Sequence, residues 1–170
     1  MIKYIVVSDS HYNEKVLEEL HQHYPEIPIL HCGDSELSDD ASVFQYVTTV
    51  AGNCDITSEV KPKERLITVD NEKIFLCHGD RYQVKQSLLP LTLKAKEVGA
   101  TIALFGHSHL PYCAYDKEKQ LLLLNPGSIE LPRTYPPIKT YVLLEIAADD
   151  YRVTFFDEQH HLLKTLEYLR

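Results

Sequence analysis

Residues 101–109 read TIALFGHSH. An apolar run ends at a glycine, and two histidines follow two positions apart. A short unbroken apolar run that stops at glycine reads as a buried strand. In an open α/β sheet the residues just past a strand's carboxyl end form the edge that carries the site. There, i and i+2 can face the same way, so His107 and His109 can serve one cluster. The chain carries its own control. His21 and His23 have the same spacing but lie inside a helical pattern, where i and i+2 point about 200° apart. They read as surface residues.

Four more strand-like runs end in the same manner: YIVVSDSH (4–11), IPILHCGD (27–34), TTVAGNCD (48–55) and KIFLCHGD (73–80). They add Asp9 and His11, then Asp34, then Asn53, then His78. Taken alone, a Gly-Asp or a Gly-Asn is a turn signal. Together the five runs place two Asp, one Asn and four His on one edge. His31, His160 and His161 lack such a context and read as structural. The set contains no thiolate, which disfavours a structural tetrahedral zinc site. Seven donors exceed the needs of one ion that must also hold water. They suit two ions sharing a carboxylate, about 3.5–4 Å apart, a geometry that activates water and clamps an in-line phosphoryl displacement.

Outward from these runs, NEKVLEELHQHY (13–24) has Val16, Leu17, Leu20 and Tyr24 at helical spacing, with Asn13 as the N-cap. ASVFQYV (41–47) reads as a short helix. The alternation with the neighbouring strands predicts βαβ units and parallel pairing. ERLITVDNEKIFLC (64–77) predicts a hairpin about its polar DNE turn. Tyr82–Val98 has helical composition with a kink or break expected at Pro90. In the last third, YCAYDKEKQLLLLNPGS (112–128), KTYVLLEIA (139–147) and YRVTFFDEQ (151–159) predict successive antiparallel strands. One α/β domain over 1–170 is the expected organisation.

The composition narrows the classes of function. With 44% hydrophobic residues the chain can build a core. Seventeen Lys and Arg against 25 Asp and Glu leave a net charge of −8. That argues against nucleic acid as a partner, which needs a basic face, and against an anionic membrane surface. The apolar run near Met1 is too short for a signal peptide or a span. The expectation is a soluble, cytoplasmic protein in which the four cysteines, none in a C-x-x-C pair, are reduced thiols. A homo-oligomer is left open.

The ordered pattern DSH, GD, GNCD, HGD, GHSH from Asp9 to His109, extended by LLLLNPGSIELPR (121–133), resembles the calcineurin-like metallophosphoesterase superfamily, and is most similar to its small YfcE-type phosphodiesterases. The resemblance implies two packed mixed β-sheets flanked by helices in four layers. It implies that Asp9, His11 and His109 bind a first metal, that Asp34 bridges, and that Asn53, His78 and His107 bind a second. Asp34, Asn53 and His107 would be catalytic. The implied activity is hydrolysis of a small phosphodiester by water activated at a dinuclear centre, with manganese as the expected metal and iron, nickel or zinc as alternatives. Rival readings are a phosphomonoesterase or nucleotide pyrophosphatase on the same site, and a non-catalytic scaffold such as the retromer vacuolar-sorting subunit of the same fold. One position departs from the commonest pattern: Cys54 stands where many members have a histidine that protonates the leaving group. Arg81 and Arg133 are candidates to meet phosphate, since guanidinium matches its oxygens; the alternative for both is a surface ion pair.

Overall fold

The computed structural model describes residues 1–170. In chain order the strands are β1 (Ile2–Val7), β2 (Ile29–His31), β3 (Val47–Thr49), β4 (Glu64–Val69), β5 (Glu72–Cys77), β6 (Ile102–Leu104), β7 (Pro111–Asp116), β8 (Leu121–Pro126), β9 (Thr140–Ile146), β10 (Asp150–Asp157) and β11 (Leu162–Leu169). The helices are α1 (Glu14–His23) and α2 (Leu89–Glu97). One sheet has the order β11-β10-β9-β1-β2-β3 and the other β4-β5-β6-β8-β7. Within them β1, β2 and β3 run parallel, as do β5, β6 and β8; the remaining pairs are antiparallel.

Period-2 alternation sorts the side chains into layers. On β1, Tyr4 and Val6 enter the core between the sheets, while Ile5 and Val7 meet Leu17 and Leu20 of α1. On β6, Ile102 and Leu104 enter the same central core, while Ala103, with Phe105 just past the strand, meets Leu91 and Ala95 of α2. Both inner strands are apolar on both faces because each sheet is covered twice. The result is the expected order of helix, sheet, sheet, helix.

Helix α1 begins where expected: the Asn13 side chain accepts from Val16 N at 3.1 Å. The segment 41–47 closes only as a 3-10 turn, Ser42–Gln45. Pro90 does not kink a long helix. It sits in the first turn of α2, where its missing N–H costs nothing; residues 80–82 form a separate 3-10 turn. The last third is not wholly antiparallel, since β8 lies parallel beside β6. Strand β11 was not foreseen. Its leucines at 162, 163, 166 and 169 follow helical spacing, but seven registered pairs with β10 decide the matter. No helix is long and apolar enough to cross a membrane.

Candidate metal centre

The parallel strands of both sheets end along one seam. Asp9 and His11 follow β1, Asp34 follows β2, Asn53 follows β3, His78 follows β5, and His107 and His109 follow β6. Ile129 N donates to Ser8 O at 3.2 Å across the seam, and within the second sheet Gly106 N donates to His78 O at 2.9 Å. Within the first sheet, Asp9 N donates to Gly33 O at 3.0 Å and His11 N to Asp34 O at 3.1 Å. Asp9, His11, Asp34, His107 and His109 all have positive φ, between 39° and 65°. Asp and His are among the few side chains that enter the left-handed region readily. Such turns cost energy, which the surrounding structure must hold. Two glycines make the turns fit. A Cβ at Gly52 would lie 2.0 Å from Asp34 Oδ1, and one at Gly106 would lie 1.9 Å from Ser8 Oγ.

The side chains form three overlapping groups whose donor atoms lie within 4.8 Å of one another: Asp9, His11 and His109; Asp9, Asp34 and His78; and, at the edge, His11, Glu36 and Cys54. His107 stands against His78 with ring centroids 5.1 Å apart, and Asn53 Oδ1 is 3.2 Å from His78 Nε2. All seven expected donors are thereby gathered. Arg81 is not; it is largely exposed and pairs with Glu64 at 3.6 Å. Cys54 lies at the edge, its N–H donating to Asp34 Oδ1 at 2.8 Å. Arg133 N donates to His109 O at 3.3 Å. The control histidines go elsewhere. His21 stacks on Tyr46 and His23 on His160, and His161 pairs with Asp157. His31 is wholly buried, with Gly33 N donating to its Nδ1 at 3.1 Å and its Nε2 2.9 Å from Ser10 Oγ.

Tautomers follow from the partners. His11 Nδ1 donates to Glu36 Oε1 at 2.5 Å, His78 Nδ1 to Cys32 O at 2.9 Å and His109 Nδ1 to Leu131 O at 2.6 Å. In the neutral ring each Nε2 then presents a lone pair. These lone pairs face oxygens: His109 Nε2 is 3.1 Å from Asp9 Oδ1, and His78 Nε2 is 3.2 Å from Asp34 Oδ2. Asp9 Oδ1 and His11 Nε2 are buried without any hydrogen-bond partner. Lone pair against lone pair in a buried site is repulsive unless a positive charge lies between. The titration tendencies likewise favour positive charge between these atoms, whether a proton or a metal ion supplies it. Burial opposes charge on His78 and His109, yet Asp34 and Asp9 raise the first and Asp9 the second above the usual range. Burial also opposes ionisation of Asp9 and Asp34, but their imidazole partners hold both carboxyls below theirs. The donor set fits cations, and the orphaned Asp9 oxygen and His11 nitrogen are what such ions would satisfy.

Four supporting residues escaped the sequence reading. Asp55 is buried and accepts from Asp34 N (2.8 Å), Gly52 N (2.8 Å), Glu36 N (2.7 Å) and Ser35 Oγ (3.1 Å), so one carboxylate sets the whole Asp34 turn. Glu36 holds His11. Asn125 Nδ2 donates to Gly106 O, and Ser128 Oγ donates to Asp9 O, both at 2.9 Å. Asp55 closes the GNCD motif and the last two lie in NPGS. For these three the signal lay within the motifs, whereas Glu36 lies outside them, and buried acceptors of backbone N–H groups have no sequence pattern of their own.

The family model for the calcineurin-like phosphoesterase superfamily domain matches residues 2–149. A probable metallophosphoesterase of Bacillus subtilis, YsnB, is 35% identical over 165 residues, covering 96% of this chain and 95% of that one. A solved structure of a predicted phosphoesterase from Streptococcus pneumoniae superposes with a TM-score of 0.92 at 30% identity, covering 100% and 99% of the two chains. Zinc-complexed Vps29 from Entamoeba histolytica superposes at 0.73 with 18% identity, covering 99% of each; that likeness shows the fold alone.

Proposed function

Because the chain belongs to the calcineurin-like phosphoesterase superfamily, we propose that it hydrolyses a small phosphodiester at a pair of divalent ions, manganese being the first expectation and iron, nickel or zinc the alternatives. The observation that carries this reading is the convergence of imidazole nitrogens and carboxylate oxygens, Asp9 Oδ1 and His11 Nε2 among them without a hydrogen-bond partner, at the joint end of both sheets. Asp9, His11 and His109 would hold one ion, and Asn53, His78 and His107 the other, with Asp34 between. Divalent ions bound there supply Lewis-acid activation of water and neutralise charge on the phosphoryl oxygens.

The protein's own contributions follow from the geometry. Glu36, Cys32 O and Leu131 O lock three imidazoles in the orientation that aims Nε2 inward, which raises their basicity as donors. Asp55 holds the Asp34 turn. Cys54 sits where leaving-group protonation would be expected, but burial first, then the Asp34 charge, pushes its thiol up to about 11. It stays neutral at pH 7 and is a weak donor, so diesters with good leaving groups are favoured over alkyl monoesters. The four cysteines are free, which suits the reducing cytoplasm. The scaffold reading rests on fold likeness alone, whereas every expected donor is present here.

The test is elemental analysis after manganese loading, paired with turnover of bis-p-nitrophenyl phosphate. About two ions per chain and metal-dependent turnover are expected. At most one ion, or full occupancy with no turnover of any ester, would reject the proposal.

A further inference from the structure

Beside the imidazoles of the centre lies a cavity of about 440 Å³, in the range of small-molecule sites. Its floor is apolar: Phe105 is buried, Leu88 partly so, and Leu110 and Tyr112 are exposed to it. Phe105 and Tyr112 incline at 53° with centroids 6.3 Å apart, so the buried ring props the exposed one. Ser108, between His107 and His109 in the chain, forms part of the wall, which places the cavity next to the site.

Two cations stand on its rim, Lys85 and Arg133. Neither makes an ion pair, in a chain where acids outnumber bases by 25 to 17. Some cations of the chain do find acids, among them Arg81 with Glu64, Lys61 with Asp55 and Asp39, and Lys139 with Glu130 and Glu158; these two, side by side on one rim, do not. Arg133 is tied to the centre by its backbone, whose N–H donates to His109 O at 3.3 Å. Both cations on this rim are open to an anionic group of a ligand.

We propose that this cavity is the recognition subsite for the non-reacting arm of the substrate, and that the arm is a flat heteroaromatic group joined to a second anionic group, as in a nucleoside diphosphate. The assignment rests on the phosphoesterase reading of the neighbouring centre. A flat ring can lie on Tyr112, and the planar guanidinium of Arg133 can stack or form paired bonds to phosphate oxygens. An alkyl arm would fill the floor but leave both cations unmatched. A bare anion would match the cations but leave the floor wet.

The test compares two non-hydrolysable probes by calorimetry on the manganese-loaded full chain. The probes are α,β-methylene-ADP, which has the ring and both charges, and methylenediphosphonate, which has the charges alone. The nucleotide analogue should bind at least tenfold tighter. Tyr112→Ala should cost it about fivefold or more, with little change for methylenediphosphonate. Lys85→Gln with Arg133→Gln should weaken both probes, by about tenfold or more. Tyr112 and both cations are exposed, so these variants should fold. Equal affinity for the two probes, or a Tyr112→Ala effect that is absent or the same for both, would overturn the subsite. Discrimination between the probes with no ester turnover would instead retain the subsite and reject the phosphoesterase reading.

Discussion

At the residue scale the candidate site is held by atoms that never touch a substrate. Asp55→Asn removes the charge from a carboxylate that collects three backbone N–H groups around Asp34. It should lower manganese affinity about 10–100-fold, as the loss of supporting groups around metal ligands typically does. Equilibrium dialysis measures this, and unchanged affinity would contradict the role. Asp34→Asn should abolish nearly all turnover, whereas His21→Ala and His23→Ala should stay within about twofold, since their rings only stack on Tyr46 and His160. His31 yields a prediction in pH. Burial depresses it from 6.5 to about 4, and its Nδ1 already accepts from Gly33 N. A histidine held neutral in the fold but free to charge when unfolded stabilises fully above pH 6.5. That contribution, about 3 kcal/mol at 1.36 kcal/mol per tenfold, is lost as pH falls from 6.5 toward 4. Urea unfolding from pH 7.5 to 4.5 should show this loss, and His31→Gln should flatten it. An equal slope in the variant would assign the loss to other groups.

At the element scale, legibility depended on whether local pattern and tertiary pairing agreed. In α1 they agree: the cap, the apolar stripe and the covered sheet face all point the same way. So do the strand ends, where glycine, Asp and His fall together because tight left-handed turns need those residues. The seven donors could be read for this reason. Their sorting into two groups could not, because it depends on which imidazole edge meets which carboxylate across two sheets. In β11 pattern and pairing disagree. Helical leucine spacing is overruled by β10, and the burden of the strand falls on the few side chains that reach the core. Leu166 packs against the central core, whereas Leu162 is 63% exposed. Leu166→Asp should therefore cost about 1–3 kcal/mol in urea unfolding, and Leu162→Asp less than about 0.5 kcal/mol. Equal costs would mean that β11 is held by its ladder alone.

At the scale of the whole molecule, the ions would be bound by both sheets at once. If so, manganese stabilises the fold as a unit. At 100 times its dissociation constant it should add about 2.7 kcal/mol, raising Tm by about 5–10 °C in a chain of this size. Scanning calorimetry should show one transition shifting intact; a second transition that ignores metal would show that the sheets unfold separately. The seam also has a consequence for synthesis. Asp9 lies 98 residues before His107, whose N–H donates to its carboxylate at 3.2 Å, and Ser128 closes on the Asp9 carbonyl from 119 residues away. A nascent chain that has emerged only to residue 100 carries five of the donors and neither GHSH nor NPGS. Its first-made strands wait, with Asp9 uncovered, for partners not yet translated. Metal capture would thus be a late event in the life of each new chain, marking the moment at which the second half has closed over the first.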